Sequence, residues 1–327
     1  MAVTLKQLAE YTKLSVSTVS HALNPRRAQM IASTTREKVR AAAALLKYRP
    51  NSSARAMRSG CFKNVCLVLS TELGRSYMTG GFVQGIHNEL ARHDLTLSVA
   101  VLDDRQLEAA RPSPKVLKEA LADGLLLNFQ VDVPPALERL IADEQIPSVW
   151  INTRRRSDCI FPDDFSAARR LTEHLLKLGH RRITFLDFAG SFAKPEVTKH
   201  YSRMDRYDGY AEAMRSAGLA PTWHGGAQDG TARIDYCREM LRKPRRPTAV
   251  IAYSPVKLVG LIAAAYELGL SIPRDLSICS LAEEGITDSG LSMTMMLSPW
   301  NLLGQAAVEM LAAKMQSPAV RLPPRSI

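Results

Sequence analysis

The sequence predicts a short all-α module joined to a larger α/β body of two lobes, and three observations carry that expectation. Charge is the first. Residues 1–60 hold eleven Lys and Arg against Glu10 and Glu37, so nine of the eleven net positive charges lie in this fifth of the chain. The other 267 residues balance 32 bases with 30 acids. Second, helix-capping signals and amphipathic periods fill the first fifty residues. Third, from residue 61 onward, apolar runs of four to seven residues alternate with helical patterns, the signature of parallel sheets with right-handed crossovers. At 327 residues and 46% hydrophobic content, the chain is long enough for two or three cores.

The first helix starts at Thr4. Thr4 and Gln7 have capping-box spacing, and Leu5, Leu8 and Ala9 follow at i, i+3, i+4, as an amphipathic helix requires. KLSV, residues 13–16, breaks the period as a tight turn. Ser15 can cap a second helix that runs to Asn24, where Pro25 forbids continuation. On a helical wheel Val19, Ala22 and Leu23 fall together, with Ser17, Ser20 and His21 on the opposite arc and Val16 at the border. Thr34 and Glu37 suggest another capping box, opening a third helix with the stripe Val39, Ala42, Ala43 and Leu46.

Helix, tight turn, helix and third helix in under fifty residues is the helix-turn-helix architecture, whose second helix enters a DNA major groove. The free face of that helix is short and rich in hydroxyls, which suits close approach to base edges. The basic charge suits phosphate attraction. A solvated basic face with no ligand is what charge alone would equally allow.

These residues carry a family resemblance. TLKQLAEYTKLSVSTVSHALN, followed by YRPNSSARAMRSG, resembles in order and spacing the headpiece and hinge of the lactose-repressor (LacI) family of bacterial transcription regulators. The resemblance implies a DNA-binding headpiece over residues 1–50, with Val16, Ser17 and His21 where the family reads bases and Thr4, Thr18 and Asn24 where it touches phosphates. His21 stands where the family usually has Arg. One donor then replaces two, so the operator is expected to differ at that base pair. Residues 51–60 resemble the family's hinge, which becomes helical when two copies meet in the minor groove. It opens at Asn51; Ser52, Ser53, Ala54 and Ala56 permit close approach, Arg55 and Arg58 supply charge, and Met57 takes the place of a Leu that wedges between base pairs.

In residues 61–327 the strand-like runs are VCLVL, TLSVAVL, GLLLNF and SVWIN, then RITFLDF, AVIAY and LSICSL. The two groups predict two lobes divided near residue 160, with a C-terminal crossover near 290. SAARRLTEHLLKLGHRRI predicts an amphipathic helix from Ser166, ended at Gly179, with Arg181 and Arg182 leading into a buried strand. The glycines of GGFVQG, Gly80 to Gly85, lack dinucleotide-binding spacing and read as helix-packing positions. This part resembles the same family's effector-binding and dimerisation body, which is similar to the type I periplasmic sugar-binding proteins.

In that fold a small effector sits between the lobes at strand ends. The resemblance puts Arg206, three places before Gly209 in RYDGY, at the family's effector-binding Arg, and Asn152, Asp163 and Tyr77 at other pocket positions. The chain also departs from the family. Ser254-Pro255 stands for an Asn-Asp pair after AVIAY, and Ser280-Leu281-Ala282-Glu283 for Gly-Phe-Asp-Asp, without its first Asp. The pocket offers instead Tyr253, Phe129, Asn128 and Trp300. A typical hexose does not suit that set; the expectation is a less hydroxyl-rich or anionic ligand, or no physiological effector.

Other chemistry is not expected. Five scattered cysteines form no C-x-x-C pair, and the sequence has no G-K-[ST], G-x-S-x-G or H-E-x-x-H. No enzyme, metal or cofactor is therefore anticipated. No run reaches the ~18 apolar residues of a membrane span, and TLKQLAEYTK lacks an apolar signal core, which predicts a cytoplasmic protein. The reading is a transcriptional regulator, more readily a repressor, that binds a pseudo-palindromic double-stranded DNA operator as a homodimer under small-molecule control. A small-molecule receptor and an enzyme on a doubly wound scaffold are the alternatives.

Overall fold

The N-terminal helices are capped by the hydroxyls the sequence offers. In a computed structural model, α1 (Leu5–Thr12) begins where Thr4 Oγ1 accepts the Gln7 N–H (3.2 Å) and the Gln7 side chain accepts the Thr4 N–H (2.8 Å). α2 (Val16–Leu23) begins where Ser15 Oγ accepts the Thr18 N–H (3.0 Å). Each cap satisfies an amide that has no partner within its own helix. Lys13 closes α1 in the left-handed region (φ 55°), which sets the tight turn. α3 (Ser33–Leu45) starts earlier than the Thr34–Glu37 spacing predicts. Ala32 is its N-cap and no side chain caps it, so Thr34 lies inside the first turn. Leu8, Ala9, Val19, Ala22, Val39 and Ala42 form the buried core of this module.

The structure describes residues 3–24, 27–49, 61–72, 75–103, 122–188, 200–226, 232–285 and 293–327. The chain divides into two units, Met1–Phe62 and Lys63–Ile327. Two all-parallel sheets build the second. β1 (Asn64–Ser70), β2 (Thr96–Leu102), β3 (Gly124–Leu127), β4 (Ser148–Ile151), β5 (Cys159–Phe161) and the C-terminal β11 (Arg325–Ser326) form the first lobe in the order β11-β5-β4-β3-β1-β2. β6 (Ile183–Asp187), β7 (Thr222–Gly225), β8 (Ala249–Ala252), β9 (Ser277–Ala282) and β10 (Thr294–Leu297) form the other in the order β10-β9-β8-β6-β7. Every residue of β3, β4 and β8 is buried, as expected for strands covered on both faces.

Alternate side chains feed opposite layers. Val65 and Leu67 pack with α4 (Gly80–Arg92) and α10 (Trp300–Gln316), whereas Cys66 and Val68 pack on the side of α5 (Pro135–Asp143). In the second lobe, α6 (Asp164–Lys177) and α7 (Tyr201–Ser216) cover one face, and α8 (Ala232–Arg242) and α9 (Val259–Glu267) the other. A Cβ on Gly85 would lie 2.0 Å from the Asn301 carbonyl oxygen, so α4 and α10 touch backbone to backbone there.

The chain passes between lobes after β5, at residues 162–163, and returns after β10, at 298–299. The return lies beyond the expected position near 290, because β10 still pairs with β9. α6 starts at Asp164 rather than Ser166, since Asp163 Oδ1 accepts the Ser166 N–H (3.0 Å) and pulls the cap three residues upstream. Among the described residues, no helix is long and apolar enough to cross a membrane.

Candidate functional site

The N-terminal unit presents the first turn of α2. Val16 and Ser17 are exposed there, and His21 follows one turn later on the same face as Ser17, half-buried. His21 Nε2 lies 3.2 Å from Arg27 Nη1. The guanidinium can only donate, so Nε2 accepts and Nδ1 carries the imidazole proton. The Thr18 hydroxyl is 2.8 Å from Ser15 Oγ, Thr4 is exposed at the start of α1, and Asn24 is exposed at the end of α2. Thr4 and Thr18 thus sit at helix N-termini, whose free amides and dipole favour phosphate. Asn51, Ala54, Arg55, Met57 and Arg58 lie outside the described residues.

In the body, the expected pocket residues converge on the C-terminal ends of parallel strands. Asn128 and Phe129 follow β3, Asn152 follows β4, Asp163 follows β5, Tyr253 follows β8 and Glu283 follows β9. Arg206 reaches this region from the second turn of α7. A Cβ on Gly209 would lie 2.1 Å from the Phe165 carbonyl oxygen, so the glycine lets α7 close on α6 and brings Arg206 to the first residue of α6. Arg206 Nε donates to Asp164 Oδ1 (2.6 Å), Nη1 to the Tyr253 carbonyl (2.8 Å) and Nη2 to Glu283 Oε1 (3.1 Å). Its guanidinium carbon stands 4.7 Å from the centre of the Tyr253 ring. Burial pushes the Asp164 carboxyl up to about 6 in spite of the Arg206 charge. Burial also opposes the Arg206 cation, but Asp164 and Glu283 outweigh it and raise its pKa.

Polar bonds join the lobes beside this cluster. Asn152, at φ 53°, accepts the Tyr201 hydroxyl on Oδ1 (3.0 Å), and its carbonyl accepts His200 Nε2–H (2.8 Å). His200 Nδ1 is then the acceptor for Ser202 Oγ (2.7 Å), which lies 3.0 Å from the Tyr253 hydroxyl. Burial lowers the His200 pKa, which favours the neutral ring, and the Asn152 carbonyl fixes this tautomer. Arg154 pairs with Asp205, and its guanidinium covers the rings of Phe161 and Tyr201 at 5.1 and 5.0 Å. On the opposite side of the cleft, Glu284 Oε1 accepts the Gly80 N–H at the start of α4 (2.9 Å).

Comparison with known proteins decides the family. Residues 4–51 match the bacterial regulatory proteins of the lacI family, and residues 172–327 match a periplasmic binding protein-like domain. The chain belongs to the lacI family of bacterial regulators. It is 27% identical over 280 residues to the HTH-type transcriptional repressor PurR of Haemophilus influenzae, covering 84% of this chain and 80% of that one. To PurR of Pectobacterium carotovorum it is 27% identical over 325 residues, covering 96% and 91%. Among solved structures it is similar to the Lac repressor bound to ONPG in the repressed state (TM-score 0.75, 24% identity, 100% and 97% of the two chains). It is also similar to the Lac repressor dimer bound to operator and the anti-inducer ONPF (TM-score 0.73, 22% identity, 100% and 96%).

In this lacI-family regulator the expected pocket residues are not equally available. Arg206, Tyr253 and Glu283 meet, and Tyr77 joins them across the cleft, where burial and then the Glu283 and Glu284 charges raise its pKa. Asn128 Nδ2 donates to the Tyr77 carbonyl (2.7 Å). Trp300 is nearly buried between Phe82 and Tyr77, at ring separations of 5.6 and 6.0 Å. Phe129 departs from the expectation: it is fully buried among Cys66, Val68, Leu127 and Leu137, so its ring belongs to the first lobe's core. Asp163 is occupied as the α6 cap. Asp164, His200, Tyr201 and Glu284 were not anticipated, because their partners lie 42 to 204 residues away and leave no local spacing to detect. No group of His, Cys, Asp or Glu suited to a metal occurs among the described residues.

Proposed function

We propose that the protein is a transcriptional repressor that binds a pseudo-palindromic operator as a homodimer and responds to a small molecule in the inter-lobe cleft. The observation that carries this is α2: a capped helix with one face in the module's core and Val16, Ser17 and His21 on the other, within a segment that matches the lacI-family model. Two such helices, related by a two-fold axis, would read half-sites one helical turn apart. Apolar side chains left exposed on the body support pairing, with Val99 and Val101 on edge strand β2 and Val256, Val259 and Tyr266 at and beside α9. Ligand and operator are then linked reciprocally: whatever cleft state the operator-bound dimer favours is the state a co-repressor binds more tightly. The protein acts in the cytoplasm without enzymatic activity.

Selection from a random duplex pool with the full chain tests the reading. The expected product is a two-fold symmetric consensus, and a chain starting at residue 63 should lose it while still unfolding cooperatively. Failure to enrich any symmetric site, or retention of specific binding by the shortened chain, refutes the proposal.

A further inference from the structure

We infer that the ligand of the inter-lobe cleft carries a positively charged nitrogen, held by the carboxylates of Glu283 and Asp164 against the ring of Tyr77. The inference rests on the reading of this cleft as the effector site. It reverses the charge expected from the sequence, where the loss of the Asp at residues 254–255 suggested a pocket poor in carboxylates.

Arg206 is already engaged. Each of its nitrogens donates to a protein acceptor at 2.6 to 3.1 Å, so three of its five N–H groups and most of its charge are committed to Asp164, Tyr253 and Glu283. Acceptor capacity in the cluster is also left over. The Asp164 side chain is 3% exposed, and its Oδ2 is buried with no hydrogen-bond partner among the described residues. A buried carboxylate oxygen without a donor is costly, and a ligand N–H is the group that would satisfy it. Glu283 accepts from Arg206 and from Ser298 Oγ (3.2 Å), yet its side chain remains 29% exposed.

The wall opposite has the matching chemistry. Tyr77 is 42% exposed, backed by Trp300, and lies within the field of Glu283 and Glu284. An aromatic face beside carboxylates attracts an organic cation through its quadrupole as well as through charge. Among the described residues, Arg206 thus sits with the carboxylates of Asp164 and Glu283 at the β9 end of the cleft, and the Glu284 charge bears on Tyr77 beside them. On the other flank of β8 the balance changes, since Asp187 has both Arg203 and Lys257 around it. The charged nitrogen therefore belongs at the β9 end.

Three five-carbon probes of equal length separate the possibilities: 1,5-diaminopentane, 1,5-pentanediol and glutarate, with glucose as a hexose control. Calorimetry and thermal unfolding of the full chain should show binding and a raised midpoint with the diamine, and neither with glutarate. Glu283→Gln should weaken diamine binding by about tenfold or more, the effect of losing one charge-assisted pair. Tyr77→Leu, which removes the aromatic face and leaves the Arg206 cluster in place, provides a second test should the first variant not fold, with weakened diamine binding again expected. Tighter binding of glutarate, pentanediol or glucose, no midpoint shift with the diamine, or diamine affinity unchanged in the folded variants overturns the inference. Operator selection with the same chain is scored separately, so a failed cation test leaves the regulator reading standing, and a failed selection is not excused by diamine binding.

Discussion

Truncating Leu8 to alanine separates the two units energetically. Leu8 is fully buried and packs within the six-residue core of the N-terminal unit. Loss of a leucine side chain at such a site costs about 2–5 kcal/mol. The unit spans Met1–Phe62, and at roughly 0.05–0.15 kcal/mol per residue its whole stability is about 3–9 kcal/mol. The substitution therefore removes about half of that stability at the middle of both ranges, and roughly a fifth at the least. For a unit of this size, the midpoint should fall by roughly 10–40 °C. Scanning calorimetry should show the headpiece transition moving while the body's transition stays, and mobility shifts at 37 °C should show lost specific binding. Excess operator should recover part of it, because DNA binds the folded headpiece and not the unfolded one. An unchanged headpiece transition with unchanged operator affinity, or an equal shift of the body, would refute the reasoning.

His21→Arg supplies two parallel donors and should move the selected operator towards guanine at the base pair it faces, by about 1–3 kcal/mol, or roughly 5- to 150-fold; sequencing of sites selected by both proteins checks this. Asp158→Asn leaves the buried Lys314 ammonium (2.8 Å) without its counter-charge and weakens the bonds from Arg321 and the Leu322 N–H, so urea unfolding of the body should lose about 3–5 kcal/mol. Burial alone would raise the Asp158 carboxyl, but Lys314, Leu322 and Arg321 hold it below 3.8. Its contribution is thus full above that value and lost as pH falls through the lower folded pKa, and unfolding curves should show the gap between wild type and variant closing in acid. Gly85→Ala should cost about 1–3 kcal/mol of body stability, read from its thermal midpoint, because the added methyl meets the Asn301 carbonyl.

What could be read in the sequence was whatever depends on neighbours along the chain. Thr4 and Ser15 declare their helices because a cap and its amide are three residues apart. The apolar runs of β1, β3, β4 and β8 are legible because strands covered on both faces are continuously apolar. β5, β7, β10 and β11 escaped notice, being two to four residues long and, except for β5, mostly exposed or half-buried, so that their pairing partners define them. Thr34 misled because a capping motif one turn inside a helix has the same spacing as one at its start. The cleft was legible as a set of strand ends and as Arg206. Which atoms there are occupied was not, since Asp164, Tyr253 and Glu283 reach Arg206 from 42, 47 and 77 residues away.

The same helix reaches the proposed ligand site and both lobes. Its N-cap His200 and first residue Tyr201 bond to Asn152 of the first lobe, and its second turn carries Arg206, the centre of the carboxylate cluster. Ser202, between them, ties the helix to Tyr253. A ligand that draws Glu283 or Asp164 away from Arg206 therefore acts on an element already bonded to both lobes, without any longer path through the core. Its leverage equals the difference in its affinity for the two lobe arrangements. Tyr201→Phe isolates this link, because it deletes the hydroxyl that bonds Asn152 and keeps the ring packed on Phe161 (5.4 Å). Ligand affinity measured with and without operator should then differ less in the variant than in the wild type. An unchanged ratio would place the coupling elsewhere.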